Sequence, residues 1–154
     1  MKSKILIISD IGKEIGLGHY TRSRIIKKEI NSFFKNSFLI KNIYFDNEIN
    51  KKKILKIKTV SNFESLKKKI SEFKPNFVFL NNSKKFEKNF ANKILNFLKK
   101  NFKNTIIVSV DSYISYHNKI NHIWIPNVEI NNKYKFKKNI YFGWDKLLIQ
   151  KNKK

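Results

Sequence analysis

The stretch Lys4-Ile5-Leu6-Ile7-Ile8-Ser9-Asp10-Ile11-Gly12-Lys13-Glu14-Ile15-Gly16-Leu17-Gly18-His19-Tyr20-Thr21-Arg22 decides the fold. Residues 4–9 are a short, β-branched apolar run closed by Asp10 and Gly12, the pattern of a buried strand. Residues 19–34 then place Ile26, Ile30, Phe33 and Phe34 along one face at helical spacing. A strand, a glycine-rich turn and a helix in that order open a βαβ unit.

The rest of the chain continues the alternation. Residues 38–45, 57–60, 76–80, 105–110, 122–125 and 140–142 read as further strands. Ser61-Asn62-Phe63-Glu64 is a capping-box pattern, and behind it Phe63, Leu66, Ile70 and Phe73 form one stripe that ends before Pro75. Residues 84–102 form a third helix, with Phe86, Phe90, Ile94, Phe97 and Leu98 facing inward. The expectation is an α/β, Rossmann-like, mainly parallel sheet with residues 4–9 central. Ligands of such sheets bind at the carboxyl ends of the strands, where Asp10, the glycine-rich turn and Asp111 fall.

Composition sets the function classes. The 154 residues are enough for one domain with its own core. There is no cysteine, which excludes disulfides and thiolate metal sites and fits a reducing compartment. No stretch approaches the roughly 20 apolar residues of a membrane span, and the four-residue run Ile5–Ile8 is too short for a secretory leader, so the expected location is the cytoplasm.

The formal charge of +23 invites a nucleic-acid reading. Yet only Arg22 and Arg24 of the 34 basic residues are arginines, and Lys, Asn, Ile and Phe are what A/T-rich codons supply. Codon bias is a sufficient cause of much of the charge, so nucleic acid is not the expected partner. The same bias makes the exceptions informative. Three of four glycines (Gly12, Gly16, Gly18) and both arginines fall between residues 12 and 24.

Glycines in this turn permit positive φ and close approach of a ligand to the backbone. The helix start that follows offers free N–H groups and a partial positive charge. His19 enters there, where the dipole disfavours imidazolium and leaves a neutral ring able to take a proton. Arg22, one turn on, can face an anionic group. A Rossmann dinucleotide loop would need glycine at Thr21, and no P-loop sequence is present. His117 and His122 lie five apart without a third ligand, a poor metal site.

Ser9-Asp10 through Gly16-Leu17-Gly18-His19-x-x-Arg22 resembles the start of the nucleotide-sugar hydrolase family of pseudaminic acid synthesis, related in fold to two-domain GT-B glycosyltransferases. Asp111, Asn127, and Gly143 with Leu147-Leu148 stand where that family carries its later, less specific features. The resemblance implies the N-terminal, sugar-side half of a GT-B fold over residues 1–149. Residues 150–154 are then a basic tail or a truncated linker. It also implies cleavage of a UDP-linked amino-deoxy sugar by water at the anomeric carbon, with His19 as general base and no metal or other cofactor. Substrate contacts would come from Asp10, Gly16, Gly18, Arg22, Asp111 and Asn127. The UDP-binding half would be a separate domain or chain, leaving this chain inactive alone. Ser112 replaces a frequent second acid, and Ile149-Gln150 replace an arginine. A related glycosyltransferase fits the same residues. Two other classes stay open: a non-catalytic binding or partner domain, and a basic nucleic-acid-binding module, which would gather its lysines on one face.

Overall fold

The computed structural model describes residues 2–12, 17–46, 59–126, 131–135 and 137–142. Gly16, Asn127, Gly143, Leu147, Leu148 and the 150–154 tail lie outside these residues, as do the first two positions of the 57–60 strand.

Among the described residues seven strands form one sheet: β1 (Lys4–Asp10), β2 (Leu39–Phe45), β3 (Thr59–Val60), β4 (Phe77–Asn81), β5 (Ile106–Val110), β6 (His122–Ile125) and β7 (Ile140–Phe142). Their order is β3-β2-β1-β4-β5-β6-β7, and every pairing is parallel. The α/β, Rossmann-like architecture expected from the alternation is the one found. β1 is an interior strand, bonded to β2 on one side and β4 on the other; β4 holds the middle position.

Both faces of β1 are covered, which explains its unbroken apolar run. Leu6 and Ile8 point into the larger core, with Leu66 and Ile70 of α2 (Phe63–Phe73) and Ile94, Leu95 and Leu98 of α3 (Lys84–Asn101). Ile5 and Ile7 point the other way, to Ile26 of α1 (Gly18–Phe33) and Ile40 of β2. A 3-10 segment (Ile114–Lys119) and the short α4 (Asn132–Lys135), neither expected from the sequence, complete the described elements.

Three local expectations change. Asn62, not Ser61, caps α2: its side-chain oxygen accepts the Ser65 N–H at 2.8 Å, one residue later than the capping-box frame. Phe33 and Phe34 are 81% and 46% exposed, because α1 ends there; they pack on each other, and Phe34 packs on Phe38. On α3, Ala91 and Leu95 are fully buried beside the expected inward residues. Helix α2 ends as Lys74 turns into left-handed backbone (φ 51°) directly before Pro75.

The chain runs β1, β2, β3 outward in one direction, returns, and runs β4 to β7 outward in the other. The reversal lies between β1 and β4. The helices that follow these two strands, α1 and α3, lie on opposite faces of the sheet, and the crevice between such strand ends is the usual ligand position of such sheets.

Candidate functional site: a polar cluster at the switch point

The crevice between β1 and β4 collects most of the described polar residues singled out from sequence. Asp10 ends β1, Asn81 ends β4, and α1 starts above them with His19 and Arg22. Asp111 follows the next strand, β5.

Asn81 is the hub, and sequence reasoning had missed it. It is fully buried. Its amide nitrogen donates to the His19 carbonyl at 2.8 Å and to Ser9 Oγ at 3.0 Å. Its oxygen lies 3.4 Å from both His19 Nδ1 and Arg22 Nη1. Because a carbonyl can only accept, the bond to the His19 backbone fixes which end of the amide is nitrogen. The oxygen therefore faces His19, and His19 Nδ1 must bear the proton of that contact. In the neutral ring the lone pair is then on Nε2, the acceptor a general base needs.

Asp10 is buried, with 2% of its surface exposed. Its carboxylate accepts the Ser83 N–H at 2.8 Å and the Ser83 hydroxyl. Ser83 also caps α3 by accepting the Phe86 N–H. Asp10 thus fastens the end of β1 to the β4–α3 turn and holds the two sides of the crevice together. Any contact of Asp10 with a ligand has to share an acid already engaged by Ser83.

Arg22 donates to Asp111 at 3.2 Å, and the pair is 26% and 42% exposed. The anionic group facing Arg22 is thus one of the chain's own, joining α1 to the loop after β5. That loop is tightly specified. Asp111 and Tyr113 both adopt left-handed backbone (φ 59° and 61°). Such conformations cost on the order of 1–3 kcal/mol each outside glycine and persist only where their surroundings enforce them. The enforcing contacts are visible: the Asp111 N–H donates to the Trp124 carbonyl at 2.7 Å, Ser109 Oγ donates to the Ser112 carbonyl, and the Tyr113 hydroxyl donates to Asn82 Oδ1 at 3.0 Å. Burial, reinforced by Glu87 and Asp10, pushes the Tyr113 hydroxyl well above its ordinary pKa near 10.

The start of α1 differs from the other two long helices. Asn62 and Ser83 cap α2 and α3 with their side chains, and Glu64 and Glu87 sit in the first turns. Helix α1 has no side-chain cap and no acid in its first turn. Gly18 is its first residue; a Cβ there would meet nothing within 4 Å, and its φ is not positive. Positive φ is therefore not what this glycine supplies. What remains of the expectation is open space over the backbone.

The other histidines are elsewhere. The His117 ring lies against Tyr134, and His122 Nδ1 is 3.3 Å from the Tyr141 hydroxyl. Among the described residues no group of three His, Cys, Asp or Glu side chains converges as a metal site. No helix among them is long and apolar enough to cross a membrane.

Fold and site together define a class: an all-parallel α/β domain whose polar side chains gather at its topological switch point. Compared with known proteins, the chain matches no family model and no curated protein. Among solved structures it is similar to an alpha-glucosyltransferase in complex with UDP-glucose and DNA containing an abasic site, with a TM-score of 0.45 and 12% sequence identity. The match covers 80% of this chain and 36% of that one, so the chain spans about a third of the length of its neighbour.

Proposed function

We propose that the chain is the sugar-side half of a GT-B-type enzyme acting on a nucleotide-linked sugar, completed by a UDP-binding half supplied as a further domain or a second chain. The observation that carries this reading is His19 at the switch point, oriented through Nδ1 by Asn81 so that Nε2 is the acceptor. The resemblance of the 9–22 segment to nucleotide-sugar hydrolases points the same way.

In the hydrolytic form, Nε2 takes a proton from water as the water oxygen bonds to the anomeric carbon. The bond from that carbon to the diphosphate oxygen breaks, and its electron pair leaves with UDP. In the transferase form a hydroxyl group replaces the water. The uncapped start of α1 offers partial positive charge to an approaching diphosphate or sugar hydroxyl, and Arg22 can join it by leaving Asp111. Gly18 lets the ligand come near the backbone. Asp10 and Asp111 act through Ser83 and Arg22, shaping the crevice. Gly16 and Asn127 complete the proposed substrate contacts, and no step calls for a metal. The amino-deoxy sugar and the hydrolytic outcome rest on the resemblance alone.

The test is turnover of a UDP-linked amino sugar by the purified chain, alone and with a UDP-binding half added. No detectable release of UDP alone, and release on addition, is expected. Turnover by the chain alone at ordinary enzyme rates would refute the half-site reading.

A further inference from the structure

A second polar feature lies apart from the switch-point cluster, along the outer flank of α1. Tyr20, Arg24, Lys27, Lys28 and Asn31 follow one another down that helix and face Asn42 and Tyr44 of β2 across an open groove of about 570 Å³. From Tyr20 to Asn31 the groove runs roughly 16 Å at the helical rise. It has three cations, two phenol rings and two amides, and its described lining contains no carboxylate.

Its floor is a chain of hydrogen bonds with defined direction. Ser23 Oγ donates to the Tyr20 carbonyl at 2.7 Å. Its proton is thereby used, so the 3.2 Å contact with Tyr44 must take the proton of the Tyr44 hydroxyl. Tyr44 then has no proton left for Asn42, and the 2.8 Å contact between them needs the Asn42 amide nitrogen as donor. This leaves Asn42 Oδ1 as a buried acceptor with no partner among the described residues. A buried acceptor left without a donor is costly, and a donor arriving with a ligand would offset that cost.

The cations differ from the lysines scattered elsewhere. Arg24 is one of two arginines in the chain, and its guanidinium lies over the Tyr20 ring at 5.7 Å. Tyr20 in turn contacts Tyr44, with ring centroids 5.2 Å apart. The planar fork is thus held by an aromatic face at the mouth of the groove. A stacked guanidinium is suited to grip two oxygens of one phosphate, which an ammonium group cannot do. Lys27 and Lys28 follow about one turn further along, placed for a second phosphate.

We propose that this groove binds a ligand bearing adjacent phosphates. Arg24 and the paired lysines take the phosphates, and the Asn42 side chain turns its oxygen out to an N–H or O–H of the same ligand. Two sources share that chemistry: a short polyphosphate or diphosphate group, and the backbone of a single nucleic-acid strand whose bases can stack on the exposed Arg24 guanidinium that Tyr20 supports. The inference does not rest on the reading of His19, and unchanged phosphate binding by His19→Ala would keep the two separate.

Binding of tripolyphosphate and of a short oligo-dT by the full chain, measured at several salt concentrations, tests it. Two variants matter most: Arg24→Lys, which keeps the charge, and Lys27→Gln with Lys28→Gln. All three side chains are exposed or half-exposed, so the fold should hold. The control is Lys99→Gln with Lys100→Gln, exposed in the last turn of α3 on the opposite side of the sheet. We expect the groove variants to weaken binding by about tenfold and the control by no more than about twofold at equal salt. If oligo-dT then binds no tighter than tripolyphosphate, the phosphates alone are read. If it binds tighter and Tyr20→Leu removes the advantage, the ligand is a strand. Equal losses in groove and control variants, or no saturable binding at physiological salt, would overturn the proposal.

Discussion

Asn81 holds His19 at two points: its amide nitrogen donates to the His19 carbonyl at 2.8 Å, while its oxygen stands 3.4 Å from Nδ1 of the same residue. One side chain at the end of the middle strand therefore fixes both the backbone and the ring of a histidine in the first turn of α1. The second contact is at the long end for a hydrogen bond, weaker than the first.

His19→Ala should lower kcat by ~10²–10⁴ in the completed enzyme, the usual worth of general-base catalysis. The thermal midpoint should move little, because the half-buried ring adds little to the core. Near-normal kcat, or an unfolded variant, would assign the ring to structure instead.

Asn81→Asp keeps an oxygen facing Nδ1 but adds a negative charge beside the ring, which favours imidazolium. The acidic limb of the kcat/KM pH profile should move to higher pH. It also removes the donors to Ser9 and the His19 carbonyl, so the thermal midpoint should fall. A profile that stays in place would show that Asn81 does not orient the base.

Gly18→Ala separates backbone geometry from ligand approach. With open space around it and no positive φ, the alanine should be tolerated and should add about 0.5–1 kcal/mol to helix stability. Affinity for a UDP-linked sugar should nevertheless fall if the ligand lies over this backbone. Calorimetry and ligand titration on the same sample check both halves; unchanged affinity would remove Gly18 from the binding surface.

Arg22 and Asp111 should show a small coupling energy in a double-mutant cycle, below about 1 kcal/mol, because both are partly exposed. Asp111→Asn suits such a cycle, since asparagine also tolerates left-handed backbone. Substrate affinity is the more sensitive readout: the asparagine frees Arg22 for an anionic ligand, and KM should fall. A coupling above about 2 kcal/mol would make the pair a structural fastening rather than a movable one.

Tyr113 gives the fold an alkaline limit. Its folded pKa is raised, so the unfolded chain loses this proton first; the contribution is complete below pH 10 and declines as pH rises beyond it. Tyr113→Phe should be less stable at neutral pH by roughly 1–3 kcal/mol, because Asn82 Oδ1 loses its donor. It should also lose midpoint less steeply above pH 10 than the wild type. Parallel slopes for the two proteins would contradict this.

How legible all this was depends on what kind of contact each residue makes. Residues 5–8 declared a buried parallel strand because burial on both faces leaves only apolar side chains. The stripes of α2 and α3 were legible through their period. Phe33 and Phe34 shared that period but not the burial, since spacing does not reveal where a helix ends. His19 could be placed from its neighbours in sequence. Its partner Asn81, 62 residues away, could not, and in an asparagine-rich chain one more asparagine at a strand end carries no signal. The left-handed backbone at Asp111 and Tyr113 was equally silent, because it is imposed by contacts with Trp124 and Asn82.

The position of Asn81 also bears on the order in which the chain can fold. β1, α1 and β2 can gather early, being neighbours in sequence. β4, however, must still find the opposite side of β1, with Ser9 and Asn81 72 residues apart in sequence. Closing a separation of that size is slow compared with forming a helix. His19 therefore acquires its fixed tautomer late, when the middle strand has docked. Its ring resonances would serve as a clock for completion of the sheet, and a nascent chain ending before residue 81 would carry the histidine but not the side chain that fixes its tautomer.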